Sequence, residues 1–123
     1  MTRRTVAALA LVLALSATAQ AAQLYSPPMF PDSDANLECL IVNVSDVTHA
    51  VTITARSING GDVGGQQVTL GPLQTGFHLD GTQTAVMCHF TVDGGKNDYR
   101  AAVCVVVGAH IGGEIGKACL PAN

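Results

Sequence analysis

The sequence predicts an all-β domain: a small antiparallel sandwich of immunoglobulin-like type with about six to seven strands. Three observations predict it. Short runs rich in Val, Ile, Thr and aromatic residues recur along the chain, each bounded by Gly, Pro, Asn or Asp. One of them, AVTITARSI (Ala50–Ile58), alternates apolar and polar residues with period two, as a strand with one face in water does. Beyond the N-terminal leader no stretch carries a sustained 3.6-residue apolar stripe, so helices have no claim on the core. A small closed barrel is the alternative architecture. The chain has no Trp and so lacks the buried Trp of antibody-type domains.

Residues 1–21 have the form of an export signal. Arg3 and Arg4 precede the apolar run Thr5–Ser16, and small residues then suit cleavage at Ala17/Ala19 or Ala19/Ala21. The run falls short of the ~20 residues that a spanning helix needs. Val6-Ala7-Ala8 lacks the bulk of a twin-arginine signal, and no Cys stands ready for lipid attachment, so general secretion is expected. Cleavage leaves one domain of about 100 residues. It carries four basic and nine acidic residues, a net charge of −5. That balance offers no electrostatic footprint for nucleic acid or for an anionic membrane surface. A soluble secreted or periplasmic protein, free of the membrane once the signal is removed, is the expectation.

The mature chain opens on residues 22–36, AQLYSPPMFPDSDAN, whose three prolines call for an extended arm rather than a helix or central strand. Tyr25, Met29 and Phe30 could tuck that arm onto the domain, which spans residues 37–123. Leu37–Val44 reads as the first firm strand and Ala50–Ile58 as the second, separated by Ser45-Asp46-Val47-Thr48. The glycine-rich segment Asn59–Gly65 reads as a flexible turn. Gln67–Leu70 and Thr75–Leu79 are short strands either side of Gly71-Pro72-Leu73-Gln74, and Asp80-Gly81-Thr82 is a further turn. Thr84–Val107 reads as the central hairpin, two apolar strands folded back through Asp93-Gly94-Gly95-Lys96-Asn97-Asp98. Gly108–Asn123 reads as a loop tied back by Cys119.

The four cysteines, Cys39, Cys88, Cys104 and Cys119, all fall in the mature part, and an even count in a small exported chain implies two disulfides. Three pairings are open to them. Alternation favours one. If Val92 faces the core, so do Phe90 and Cys88, whereas the apolar set Tyr99, Ala101, Val103, Val105 and Val107 sends Cys104 to the opposite face. Cys39–Cys88 inside, with Cys104–Cys119 pinning the tail, is therefore preferred.

Chemistry is harder to find. Met87-Cys88-His89 cannot grip one ion from a strand, because neighbours point to opposite faces. Cys104 and His110 have a loosely copper-like spacing but no following Met, and no C-x-x-C pair suits zinc. Asp32-Ser33-Asp34-Ala35-Asn36 opens like a calcium loop, then places Leu37 where Gly is needed and Asn43 where the bidentate Glu belongs. A surface calcium site would have to use Asp32, Asp34 and Glu38. There is no G-x-S-x-G elbow, and His49, His78, His89 and His110 are scattered. No catalytic residue, cofactor or metal ligand is assigned, and no enzyme is expected. Asn43-Val44-Ser45 forms a glycosylation sequon, discounted because Asn43 lies inside a strand and the export signal is bacterial in style.

Taken together, CLIVNVS, VTITARSI, VTLGP and MCHFTVDGG…YRAAVCVV resemble a group of short exported bacterial proteins of unknown function. The resemblance covers most of residues 37–107. It implies a disulfide-bearing β domain and carries over no site residue. The leading expectation is a binding or structural module that meets another exported protein through loops, above all Asn59–Gly65 and Gly108–Gly116, or through an edge strand. The alternatives are a small periplasmic metal carrier using histidines, Met87 or the acidic arm, and a secreted enzyme inhibitor presenting the loop near Gly108–Cys119.

Overall fold

A computed structural model describes residues 21–107 and 116–123. These residues form eight strands: β1 (Ala22–Tyr25), β2 (Ala35–Asn43), β3 (His49–Ser57), β4 (Asp62–Leu70), β5 (Thr75–Asp80), β6 (Ala85–Val92), β7 (Tyr99–Val107) and β8 (Gly116–Pro121). They pair into two antiparallel four-stranded sheets, β1-β6-β3-β4 and β5-β2-β7-β8, packed face to face. No ladder joins β4 to β5 or β1 to β8, so the sandwich is open rather than a closed barrel. The expected export signal and most of the expected Gly108–Gly116 contact loop lie outside the described residues.

Alternation builds the core. Leu37, Cys39 and Ile41 of β2, Val51, Ile53 and Ala55 of β3, and Cys88, Phe90 and Val92 of β6 point inward and are fully buried or nearly so. Leu24, Leu70, Tyr99 and Val103 complete the cluster. On β3 the intervening Thr52, Thr54 and Arg56 face outward, as the sequence pattern requires. Cys39 is bonded to Cys88, with Cα atoms 5.6 Å apart, and so joins the two sheets through the core. Cys104 is bonded to Cys119, its directly opposed residue on β8, with Cα atoms 4.1 Å apart on the outer face.

The central hairpin does not exist. β6 pairs with β1 and β3, whereas β7 pairs with β2 and β8, so the two strands belong to opposite sheets. The segment Asp93–Asp98, which holds a 3₁₀ turn at Lys96–Asp98, carries the chain across the sandwich instead of reversing it within one sheet. Both strands are apolar because each is central, with a neighbour on either edge; that composition does not report whether they pair with each other. The facing of Cys88 and Cys104 depends only on alternation within each strand, so it is unaffected by the change of partner.

Three further elements differ from the sequence reading. The tip of the arm is strand β1, on the edge of β6, and Met29 N–H donates to Val86 O at 2.8 Å to continue the contact. β4 begins at Asp62, so the expected turn Asn59–Gly65 is in large part strand. Gly65 lies so close to β3 that a Cβ there would stand 2.4 Å from Ile53 O, and the bulge at Ala55/Arg56 accommodates the end of the ladder. Finally, Gly116–Pro121 is strand β8, not loop. All of it lies against β7, and the cross-strand disulfide fixes its register.

β2 with β5 and β3 with β6 reproduce the central four strands of an immunoglobulin-like sandwich, and Cys39–Cys88 takes the place of its inter-sheet bridge. The flanks are exchanged. β7 lies beside β2, where such a fold keeps its first strand, and β1 lies beside β6, where it keeps its last.

Two polar residues close the ends. Asn43 is fully buried: its Nδ2 donates to Val47 O (2.7 Å) and Leu70 O (2.9 Å), and its Oδ1 accepts from Ser45 N–H (3.0 Å) and Ser45 Oγ (2.8 Å). The sequon asparagine is thus a structural hub, closed to glycan attachment in the folded chain. Tyr99, at the start of β7, donates its hydroxyl to Asp93 O and ties the inter-sheet crossing to the core, much as a tyrosine corner does.

Replacing Cys39 and Cys88 together by Ala should cost about 4 kcal/mol, and the Cys104/Cys119 pair about 3, because the longer loop restricts the unfolded chain more. Urea midpoints of the two double variants should fall in that order. Asn43→Ala removes four hydrogen bonds, among them the side-chain bond to the Leu70 carbonyl, and should cost about 2–3 kcal/mol in the same assay.

Candidate functional site

The side of the sandwich bounded by β4 and β5 is built as an open seam. These strands are consecutive in the chain yet belong to different sheets, and the turn Gly71–Gln74 carries the chain from one to the other. Gln74 N–H donates to Gly71 O (3.1 Å), and the Gln74 side chain accepts from Gly71 N–H (2.8 Å). Leu73, at φ 59°, is held in the left-handed region, where its N–H reaches Asn43 O at 2.8 Å. The sheets approach closely at Gly76. A Cβ there would lie 3.0 Å from Val68 Cγ2 and 3.3 Å from Leu70 Cδ2, so the absence of a side chain is what lets β5 approach.

Gln66 spans the seam. Its Nε2 donates to Phe77 O, the only side-chain bond from β4 to β5 among the described residues. In an antiparallel strand the N–H and C=O of one residue point to the same side and alternate along the chain. That bond therefore marks Thr75, Phe77 and Leu79 as the residues whose main-chain groups face the open edge. A cleft of about 420 Å³ runs beside them, lined by Gln66, Val68, Leu70, Gln74, Gly76 and Phe77.

The same three residues present their side chains outward. Phe77 is 56% exposed and Leu79 39%. The ladder registers place Phe77, Leu40, Ala102 and Pro121 in one row, an apolar stripe across all four strands of that sheet. β5 carries no Lys, no Pro and no bulge, the usual guards of an edge strand. Its one charge, Asp80, is buried and accepts from Thr82 Oγ1 (2.8 Å) and Ala85 N–H (3.1 Å). The arrangement can accept an extended segment by main-chain pairing, with alternate apolar side chains falling on the stripe.

The residues weighed for metal chemistry are dispersed. His49 packs on Tyr99, with ring centroids 5.6 Å apart, and His78 lies against Gly64 at the inner side of β5. His89 stacks on Tyr25 across β1 and β6, with centroids 4.4 Å apart and planes within 7°. Its Nε2 lies 3.1 Å from Gln23 Oε1, which also accepts from the Tyr25 hydroxyl, so the imidazole proton belongs on Nε2. Met87 is opposite Arg56, and all four cysteines are in disulfides. Glu38 is not part of the acidic arm: it accepts from Lys117 Nζ at 2.6 Å on the outer face of β2. Among the described residues no three of His, Cys, Asp and Glu come together as metal ligands, and no helix is long and apolar enough to cross a membrane. His110 lies outside them.

Loss of solvent lowers the His89 pKa, the nearby Arg56 charge lowers it further, and Asp62 opposes in part. Tyr99 moves the other way: burial, then Asp93 and Asp98, push its phenol up to about 12, so it stays a donor.

No protein-family model matches the chain, and no curated protein does. Among solved structures it is similar to the crystal structure of Thermotoga maritima 1070, with a TM-score of 0.53 and 11% identity, over 82% of this chain and 91% of that one. At that identity the likeness is one of fold.

Because His89 is held neutral in the folded state, its contribution to stability is complete above the unfolded value near 6.5 and is lost as pH falls through the lower folded value. The urea midpoint should drop on going from pH 7.5 to pH 5, and His89→Gln should flatten that slope.

Proposed function

We propose that the protein is an exported, non-enzymatic binding module that takes an extended segment of another exported protein onto the free edge of β5. The observation that carries this reading is the coincidence, on Phe77 and Leu79, of main-chain groups that face away from β2 with outward apolar side chains, the Phe77 carbonyl being held only by the Gln66 side chain. Loop recognition has less behind it, because much of Asn59–Gly65 belongs to β4. Two disulfides fit an oxidising compartment, and the leader-like residues 1–21, together with the resemblance to short exported proteins, extend that to secretion or the periplasm. The net charge of −5 in the mature chain leaves nucleic acid and anionic membrane as poor partners. Strand addition needs only main-chain pairing and a few alternate side chains, so it suits a surface with no deep pocket at its centre.

The test is capture of partners from an exported-protein extract by the mature protein and by Phe77→Lys and Leu79→Lys. Both positions are exposed, so either charge should leave the urea midpoint within about 0.5 kcal/mol of the parent while guarding the edge. Partners held by the parent and lost from both variants are expected. An identical set on parent and variants, or none on the parent, would overturn the reading.

A further inference from the structure

Apart from Arg3 and Arg4 the chain has four cations: Arg56, Lys96, Arg100 and Lys117. Two are paired. Arg56 Nε lies 3.0 Å from Asp62 Oδ1, and Lys117 Nζ lies 2.6 Å from Glu38 Oε1. Lys96 and Arg100 have no carboxylate within ion-pair distance among the described residues. Both line the same place, a cleft of about 440 Å³ on the side of the sandwich opposite the β4–β5 seam. There the C-terminal residues leave β8 and cross to β1, where Tyr25 N–H donates to Asn123 O (2.9 Å) and Asn123 N–H to Tyr25 O (3.1 Å).

The floor of this cleft is apolar. Leu24, Ala101, Ala122 and the Tyr99 ring supply it, and Lys96, Asn97 and Arg100 form a polar rim. The polar groups nearby are engaged with partners other than the two cations. Arg100 Nη1 donates to Tyr99 O (2.7 Å) and Asn97 O (3.3 Å), which fixes the guanidinium at the rim. Asp98 Oδ2 accepts from Gly95 N–H at 2.9 Å, and the Tyr99 hydroxyl is taken by Asp93 O. Asp93 and Asp98 lie near enough to act on the Tyr99 phenol, but among the described residues neither forms an ion pair with Lys96 or Arg100, so both cations remain available at the rim of an apolar floor. The volume falls within the ordinary range for small-molecule sites.

We propose that this cleft binds a small amphipathic carboxylate, its aliphatic or aromatic body on Leu24, Ala101 and Ala122 and its head against Lys96, Asn97 and Arg100. Guanidinium and ammonium donors meet a carboxylate in charge-assisted hydrogen bonds, and Arg presents a planar fork to it. The floor contributes through burial of the body, so both parts of the ligand are recognised.

The experiment is a titration of the isotope-labelled mature protein with octanoate, and separately with octanol, followed by amide chemical shifts. Octanoate should shift the amides of Lys96–Ala101 and of Ala122 and Asn123, and bind about tenfold or more tightly than octanol. The double variant Lys96→Gln/Arg100→Gln, whose sites are exposed, should bind the two probes alike. Equal affinity for octanoate and octanol in the parent would overturn the proposal. So would unchanged octanoate binding in the double variant, shifts confined to other residues, or no saturable binding at millimolar concentrations.

Discussion

The fold depends on filling a gap of about 10 Å between two sheets with small side chains. Phe90 and Tyr99 are the only aromatic residues in the core cluster, and most of the rest is Val, Ile, Leu, Ala and Cys. Such residues satisfy the pleat but contribute modest area each, so the interior of a domain this size is thin. The Cys39–Cys88 bond lies in that interior and ties β2 to β6, the central strands of opposing sheets. It adds a covalent tie to that packing, and a constraint of about 4 kcal/mol is large beside a typical net stability of about 5–15.

The two ends of the open sandwich are finished differently. On the β1–β8 side the last residues cross over and pair with Tyr25 in both directions, so main-chain groups there have partners. On the β4–β5 side a single glutamine side chain performs that task. This asymmetry follows from connectivity. β4 and β5 are joined by a tight turn that leaves no spare chain to cover their edges, whereas the chain that follows β8 is free to fold back. The open seam is therefore where the surface is most receptive to another strand.

The sequence made the strands legible because alternation is local. Val51, Ile53 and Ala55 against Thr52, Thr54 and Arg56 reports which face is buried without reference to any other strand. The same rule placed Cys88 and Cys104 on opposite faces and so favoured the disulfide pairing that the structure contains. The edge site was only half legible. Thr75–Leu79 reads as a strand, but nothing in TGFHL says that Phe77 faces water, because an outward Phe and an inward one have the same period.

What the sequence by itself determined is the class of fold, the positions of most strands and the inward set of each, since all of these rest on period-two geometry within single segments. Only the tertiary structure decided which strands are neighbours. A central apolar strand looks the same whether it pairs with the next strand in the chain or with one from far away, so β6 and β7 read as a hairpin and fold into different sheets. The seam at β5 and the floor beneath Lys96 and Arg100 arise from that partnering, because each joins residues that only the packing of the two sheets brings together.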